Sequence, residues 1–342
     1  MMIIEALGRV VEKLSLTRED AAAVMEDIME DRATPAQFGA FVTALRLKGE
    51  TAEEIAGMAQ VMRAKALRVP TDLPVVDTCG TGGDGSGTFN VSTAAAFVVA
   101  AAGQPVAKHG NRGMTSKCGS ADVLEALGAN IALGPDAVAR CIERSGMGFM
   151  FAPAYHPAMK FAAPLRREIG IRTVFNILGP LTNPAGAKRQ VLGVASHEAQ
   201  GRLAGALKIL GSERALVVHG AEGLDEVSLA GATYVLDVRD GDVSESVVHP
   251  EQFGVQAAPA EAIRGGDAAQ NAAIIRGVLG ANGDATGAQR DIVALNAAAA
   301  LVAAGAADDM LTGLERAREV MRSGAALRAL EAFVAASREL AN

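Results

Sequence analysis

The sequence has no tryptophan, two tyrosines and three cysteines in 342 residues, and each scarcity removes a class of protein. Cys79, Cys118 and Cys141 stand far apart with no CxxC pair, which excludes a disulfide scaffold and a zinc ribbon and makes a reducing, cytoplasmic setting the expectation. Aromatics are 4% of the chain, too few for the interleaved aromatic and basic face that single strands stack on. A formal net charge of -7 denies it the broad basic surface that nucleic acid or an anionic membrane needs. The longest apolar run, 94–102, falls well short of the roughly 20 residues of a membrane span. The opening MMIIEALGRV carries Glu5 and no extended apolar stretch, so a signal peptide is not expected. These absences predict a soluble protein without nucleic-acid or membrane partners.

What is present is alanine, valine and leucine: half the residues are hydrophobic, a composition suited to helices packed on a parallel sheet. The first 70 residues contain three helix starts with a threonine ahead of a polar third residue: Thr17 before Asp20, Thr34 before Gln37 with Pro35 between, and Thr51 before Glu54. No strand is expected there. From residue 73, β-branched runs near 75–77, 105–108, 147–151, 191–194, 215–219 and 234–238 alternate with alanine-rich helices. Residues 162–189 interrupt the alternation and are expected to return to the N-terminal helices, while 267–337 read as helices that serve core packing. The predicted fold is α/β, a mainly parallel sheet flanked by helices, with a smaller all-helical domain. The helical domain would be 1–70 plus about 165–190, and the large domain 71–164 plus 191–342.

Residues 75–90, VVDTCGTGGDGSGTFN, run from strand through five glycines to a helix start. That is the layout of a phosphate cradle, because glycine lets backbone N–H groups approach an anion and the helix N-terminus adds partial positive charge. Gly80, Gly82 and Gly85 satisfy GxGxxG, but no Asp or Glu occurs between Gly85 and Ala121 to hold a dinucleotide ribose. A Walker loop fails because Thr88 follows Gly87 where lysine is needed. The carboxylate-free window instead holds Lys108, His109, Arg112 and Lys117, with the hydroxyls of Ser86, Thr88, Ser92, Thr93, Thr115, Ser116 and Ser120. Taken singly these cap helices or meet solvent; as a set they suit an anion with more than one phosphate. Lys108 would supply a point charge to phosphate, and Asn111 could orient a polar substrate. After a later strand, Asp225 and Glu226 are adjacent carboxylates of the kind that hold Mg2+ together with phosphates and water. No nucleophile and base set stands out, so no catalytic residue is assigned. His109 and His219 read as strand-end residues bonded to loops.

CGTGGDGSGTFNVST, KHGNR with SKCGSAD, FAPAYHPAMK, RTVFNILGPLTNP, the Asp225-Glu226 pair and RDIVALNAAAAL together resemble the anthranilate phosphoribosyltransferase family of tryptophan biosynthesis, essentially end to end. The resemblance implies the nucleoside phosphorylase-like fold and an enzyme that joins anthranilate to phosphoribosyl pyrophosphate (PRPP) and releases pyrophosphate. It implies that Gly80, Gly83, Asp84, Thr88, Asn90, Val91, Ser92, Thr93, Lys108, Ser116 and Ser120 line the PRPP site. It further implies that Ser92, Asp225 and Glu226 hold Mg2+, that Asn111 and Arg166 meet anthranilate with the guanidinium facing its carboxylate, and that Tyr155 and His156 lie near the anthranilate channel. A homodimer through the helical domain is also implied. Two other readings stand beside it. A pyrimidine nucleoside phosphorylase-like enzyme would not need the acidic pair, and a non-catalytic nucleic-acid-binding relative sits poorly with the chain's acidity.

Overall fold

The structure, a computed structural model, describes residues 2–113 and 116–341. Four helices come first: α1 (Ile3–Val11), α2 (Arg18–Met29), α3 (Pro35–Lys48) and α4 (Ala52–Lys65). Thr17, Thr34 and Thr51 each accept a hydrogen bond from the third backbone N–H of the helix they precede, which satisfies a donor that the helix cannot. Gln37 and Glu54 reach back to complete capping boxes; at Thr17 no returning bond forms. Then follow β1 (Val76–Gly80), α5 (Val91–Ala101), β2 (Val106–Gly110), α6 (Ser120–Leu127), α7 (Pro135–Ser145), β3 (Met147–Phe151), α8 (Ala152–Tyr155), α9 (Met159–Ile169), α10 (Phe175–Leu178) and β4 (Arg189–Gly193). The remainder is α11 (His197–Ile209), β5 (Arg214–Gly220), β6 (Thr233–Arg239), β7 (Asp242–Val248), α12 (Ala268–Leu279), α13 (Gly287–Ala303), α14 (Met310–Arg322) and α15 (Ala325–Glu339).

The seven strands form one sheet in the order β3-β2-β1-β4-β5-β6-β7. The first five are parallel, and β6 and β7 continue antiparallel. Six strands lie where the residue pattern predicts them, with ends that differ by up to three residues. The seventh, β7, escapes that pattern because it is an exposed edge strand with Asp242, Ser244, Glu245 and Ser246 among its seven residues. Its signal lies in the turn: Asp240 and Gly241, both at positive φ, join Arg239 to its partner Asp242, which is the two-residue Asp-Gly hairpin.

Strand side chains alternate between two apolar clusters, as the pleat requires. Leu216 and Val218 face a core built with α5, α12, α13, α14 and α15, whereas Ala215 and Val217 face one shared with α11 and the N-terminal helices. Helix α9 packs on α2 and α3, and the Phe175 ring of α10 lies 5.6 Å from that of Phe38 on α3.

Glu54 is the most heavily used polar group among these helices. Its fully buried carboxylate accepts from Thr51 N (2.7 Å), Leu16 N (2.9 Å) and Lys48 Nζ (2.9 Å). Removing it strands a buried ammonium and two buried donors, a loss of about 3–5 kcal/mol. Glu54→Ala should therefore lower the unfolding free energy by that amount in urea titration, and a change below about 1 kcal/mol would show the pair to be unimportant.

Candidate active site at the carboxyl ends of the strands

Strand order reverses between β1 and β4, with β2 and β3 on one side and β5 to β7 on the other. In open parallel sheets a crevice forms at such a reversal, beyond the carboxyl ends of the strands. The glycine loop leaves β1 at this point. Gly82, Gly83, Gly85 and Gly87 all have positive φ, a conformation open to glycine at little cost. The loop needs its glycines for space as well: a Cβ on Gly83 would collide with the Arg172 guanidinium, and one on Gly80 with the Asp225 carboxylate.

Across this loop lies the segment after β5. It approaches β4 so closely that a Cβ on Gly193 would overlap the Asp225 backbone. Asp225 Oδ2 accepts from Gly82 N at 2.8 Å, and Glu226 Oε1 from Ser92 N at 3.1 Å in the first turn of α5. The acidic pair is thus clipped to both ends of the glycine loop. Asp84 bonds Ser86 N through Oδ1 (3.3 Å) and leaves its buried Oδ2 without a partner. Burial, then repulsion from Asp84, raises the Asp225 pKa; burial, then Asp225, raises that of Glu226, while Lys108 pulls it back.

Lys108 is 2% exposed in the middle of β2 and donates to the Thr78 carbonyl and to Ser92 Oγ (3.3 Å). It is a buried counter-charge to Glu226 and Asp77, where the sequence reading cast it as a point charge for phosphate. Asp77, wholly buried, accepts from Asn183 Nδ2 at 2.7 Å, and desolvation pushes it up to about 6. Arg112 also departs from expectation: its charge is taken by Asp122 (2.9 Å) and Glu125. Asn90 begins α5, with Val91 and Thr93 buried in its first turn. Thr88 Oγ1 and Ser86 Oγ meet at 3.3 Å, Ser116 Oγ donates to the Cys118 carbonyl, and Ser120 Oγ to the Asn111 carbonyl. Asn111 Oδ1 accepts from Arg112 N at 2.7 Å. Thr115 lies outside the described residues.

Next to this crevice, His109 and His156 face each other with ring centres 5.1 Å apart. Each turns one nitrogen to a backbone carbonyl, at Gly179 and Thr182, and each has a buried Nε2 with no partner. Desolvation lowers His109 to about 3 and His156 to about 4, so near neutrality both present bare acceptor lone pairs. Arg166, at the end of α9, lies over the Phe175 ring at 5.4 Å and forms no ion pair among the described residues; burial lowers its pKa. Tyr155 is core, its hydroxyl donating to the Leu133 carbonyl at 2.9 Å. His219 bonds the Val194 carbonyl at 2.7 Å, the loop role expected of it.

Four contributors carry no role in the sequence reading. Arg172 donates to the Gly82 carbonyl at 3.0 Å, and Asn183 holds Asp77. Asn271 Nδ2 donates to Asn90 Oδ1 at 2.9 Å, and Asn296 bonds Val227. The C-terminal region therefore does more than pack: Ile263 and Gly265 also exchange backbone bonds with Phe89 and Gly87. A buried amide in an alanine-rich helix is the one signal that points to such residues.

The class of the protein, a glycosyl transferase, comes from comparison with known proteins. Residues 72–327 match the family model described as glycosyl transferase family, a/b domain, and residues 4–66 match the glycosyl transferase family, helical bundle domain. The anthranilate phosphoribosyltransferase of Chloroflexus aggregans is 58% identical over 339 residues, covering 99% of both chains, and that of Dehalococcoides mccartyi is 52% identical over 343 residues, covering all of both. The crystal structure of the Thermus thermophilus enzyme is similar with a TM-score of 0.91 at 46% identity, covering 97% of this chain and 99% of that one. The Saccharomyces cerevisiae enzyme in complex with PRPP and Mg is similar at 0.89 and 29% identity, covering 98% of each. The chain belongs to the anthranilate phosphoribosyltransferase family.

The two histidines give a pH test of the site. Each binds a proton more weakly folded than unfolded, so their stabilisation is complete above pH 6.5 and is lost as pH falls toward 4 and then 3. Asp77, raised to about 6, acts in the opposite sense as pH falls from 6 to 3.8. Comparison with a His109→Gln/His156→Gln double variant isolates the histidines. Between pH 6.5 and 4, wild type should lose more stability than the variant by an amount on the order of 1.4 kcal/mol per pH unit for each group; parallel urea midpoints across that range would contradict this.

Proposed function

We propose that this chain transfers the phosphoribosyl group of PRPP to the amine of anthranilate, releasing pyrophosphate, with Mg2+ accompanying the diphosphate. The observation that carries the reading is the Asp225-Glu226 pair bonded to both ends of a glycine loop at the strand reversal. Three carboxyls, Asp84 among them, gather there against one buried lysine. That excess of negative charge fits a site completed by a divalent cation. Two adjacent carboxylates beside a hydroxyl suit Mg2+, an ion that keeps waters and leans on substrate phosphates. Ser92, Asp225 and Glu226 would hold it, and when bound it neutralises charge that develops on the leaving diphosphate.

The remaining assignments concern the chain's own groups. Gly80, Gly83, Asp84, Thr88, Asn90, Val91, Ser92, Thr93, Lys108, Ser116 and Ser120 form the PRPP side, with backbone N–H groups of the glycine loop turned to phosphate oxygens. Asn111 orients the acceptor, and Arg166, whose charge has no acidic partner among the described residues, receives its carboxylate. The unpartnered Nε2 atoms of His109 and His156 support an acceptor that brings N–H donors. An aromatic amine is neutral at pH 7 and needs orientation more than deprotonation, consistent with the lack of an assigned base. We further propose a division into 1–70 with about 165–190 as the helical domain and 71–164 with 191–342 as the large domain, and a cytoplasmic setting, supported by three free cysteines. Among the described residues no helix is long and apolar enough to cross a membrane, and the chain's acidity supports the absence of a nucleic-acid partner.

A homodimer through the helical domain is supported by solvent-facing apolar side chains: Ile4, Val11 (65% exposed) and Leu14 at and after α1, and Leu47 (80% exposed) on α3. Val11→Asp with Leu47→Asp should convert a dimer to monomers in sedimentation velocity; wild type sedimenting as a monomer would sink this proposal.

Anthranilate fluorescence provides the direct test of the reaction. It should decay with purified protein only when PRPP and Mg2+ are both present. Arg166→Ala should raise KM for anthranilate by about tenfold or more and leave KM for PRPP within about twofold. Unchanged fluorescence for wild type, or an Arg166→Ala defect confined to PRPP, would overturn the assignment.

A further inference from the structure

Asn296 sits mid-way along α13, 3% exposed, among Val293, Ala294, Leu295, Ala297 and Ala298. An amide buried in such surroundings is unfavourable unless each of its groups finds a partner. It finds them on another element. Asn296 Oδ1 accepts from Val227 N at 2.8 Å, while Nδ2 donates to the Val227 carbonyl at 3.0 Å and to the Ile292 carbonyl at 2.9 Å. The side chain therefore binds both main-chain groups of one residue, as a neighbouring strand would. Val227, itself 2% exposed, directly follows Asp225 and Glu226. One residue further on, Ser228 N is held by Thr233 Oγ1 at 2.9 Å.

The acidic pair thus has bonds on two sides. Toward the crevice, its carboxylates meet Gly82 N and Ser92 N, groups of a glycine loop that must move its backbone little if it is to cradle phosphate. Toward the core, the path of the chain is set by Asn296. Neighbouring carboxylates repel one another and, left to themselves, would turn apart toward solvent; a fixed backbone at Val227 opposes that turn.

We propose that Asn296 is a positioning residue for the divalent-cation site, fixing Val227 so that Asp225 and Glu226 remain aimed together at the glycine loop. The proposal rests on the metal-binding reading of that pair. Residues that orient metal ligands from behind typically alter affinity for the ion by about 10–100-fold when removed.

The test uses the full chain and Mn2+ as the probe, with free Mn2+ followed by electron paramagnetic resonance in the presence of PRPP. Asn296→Ala should weaken Mn2+ uptake by at least about tenfold and raise the Mg2+ concentration for half-maximal activity by a similar factor, with KM for anthranilate unchanged. Asn296→Asp keeps the acceptor for Val227 N and should fall between Ala and wild type; it carries the test if the alanine variant does not fold. Ser337→Ala is the comparison for a general packing defect, because Ser337 is equally buried and bonded to Asn130 N at 3.0 Å and the Val334 carbonyl at 2.9 Å, on α15. It should lower the thermal midpoint without moving Mn2+ affinity. Wild-type affinity in both Asn296 variants, or an equal loss in Ser337→Ala, would overturn the proposal alone. A wild-type protein that takes up no Mn2+ would overturn the metal reading and the proposal with it.

Discussion

A single buried ammonium holds the active-site region together. Lys108 has almost no contact with water, so its charge requires partners, and those partners are the Thr78 carbonyl, Ser92 Oγ and the fields of Asp77 and Glu226. Thr78 belongs to β1, Ser92 to α5, Lys108 to β2, and Glu226 to the segment after β5. One side chain therefore links four segments that are far apart in sequence and adjacent at the strand reversal. Charges removed from water interact more strongly than exposed ones, which makes this arrangement rigid and intolerant of loss.

Around that centre the chain uses buried amides as ties. Asn183 joins Asp77 to the Ala107 carbonyl, Asn271 joins Asn90 to Gly266, and Asn296 joins α13 to Val227. Each side chain carries a donor and an acceptor on a short, stiff stem, so each can link two elements without adding charge. The glycine loop, which has little side-chain packing of its own, is held by these ties and by backbone bonds from 263–266. These bonds fix a loop that has four residues at positive φ.

The sheet was legible in the sequence because its parallel strands are buried on both faces and read as short β-branched runs. Strand β7 was not, since it is exposed along its length and its turn pair Asp240-Gly241 is a quieter signal than hydrophobicity. The expectation of a phosphate site rested on what residues 85–121 lack, carboxylates, and on the failure of two commoner glycine motifs. Sequence reasoning does not reveal which way a side chain points, so Lys108 and Arg112 were read only as cations suited to phosphate, whereas Lys108 is buried and Arg112 is paired with Asp122 and Glu125. The roles of Asn271 and Asn296 depend on partners 181 and 69 residues away, and no local pattern encodes such a pairing.

In the proposed function the acidic pair over the glycine loop serves a diphosphate that arrives with a divalent cation. Isothermal titration of PRPP into the wild-type protein, once with Mg2+ and once with excess chelator, tests this. Binding is expected with Mg2+, and a loss of affinity of at least about tenfold without it, since bare phosphates would meet three carboxyls. Equal affinity under both conditions would contradict it.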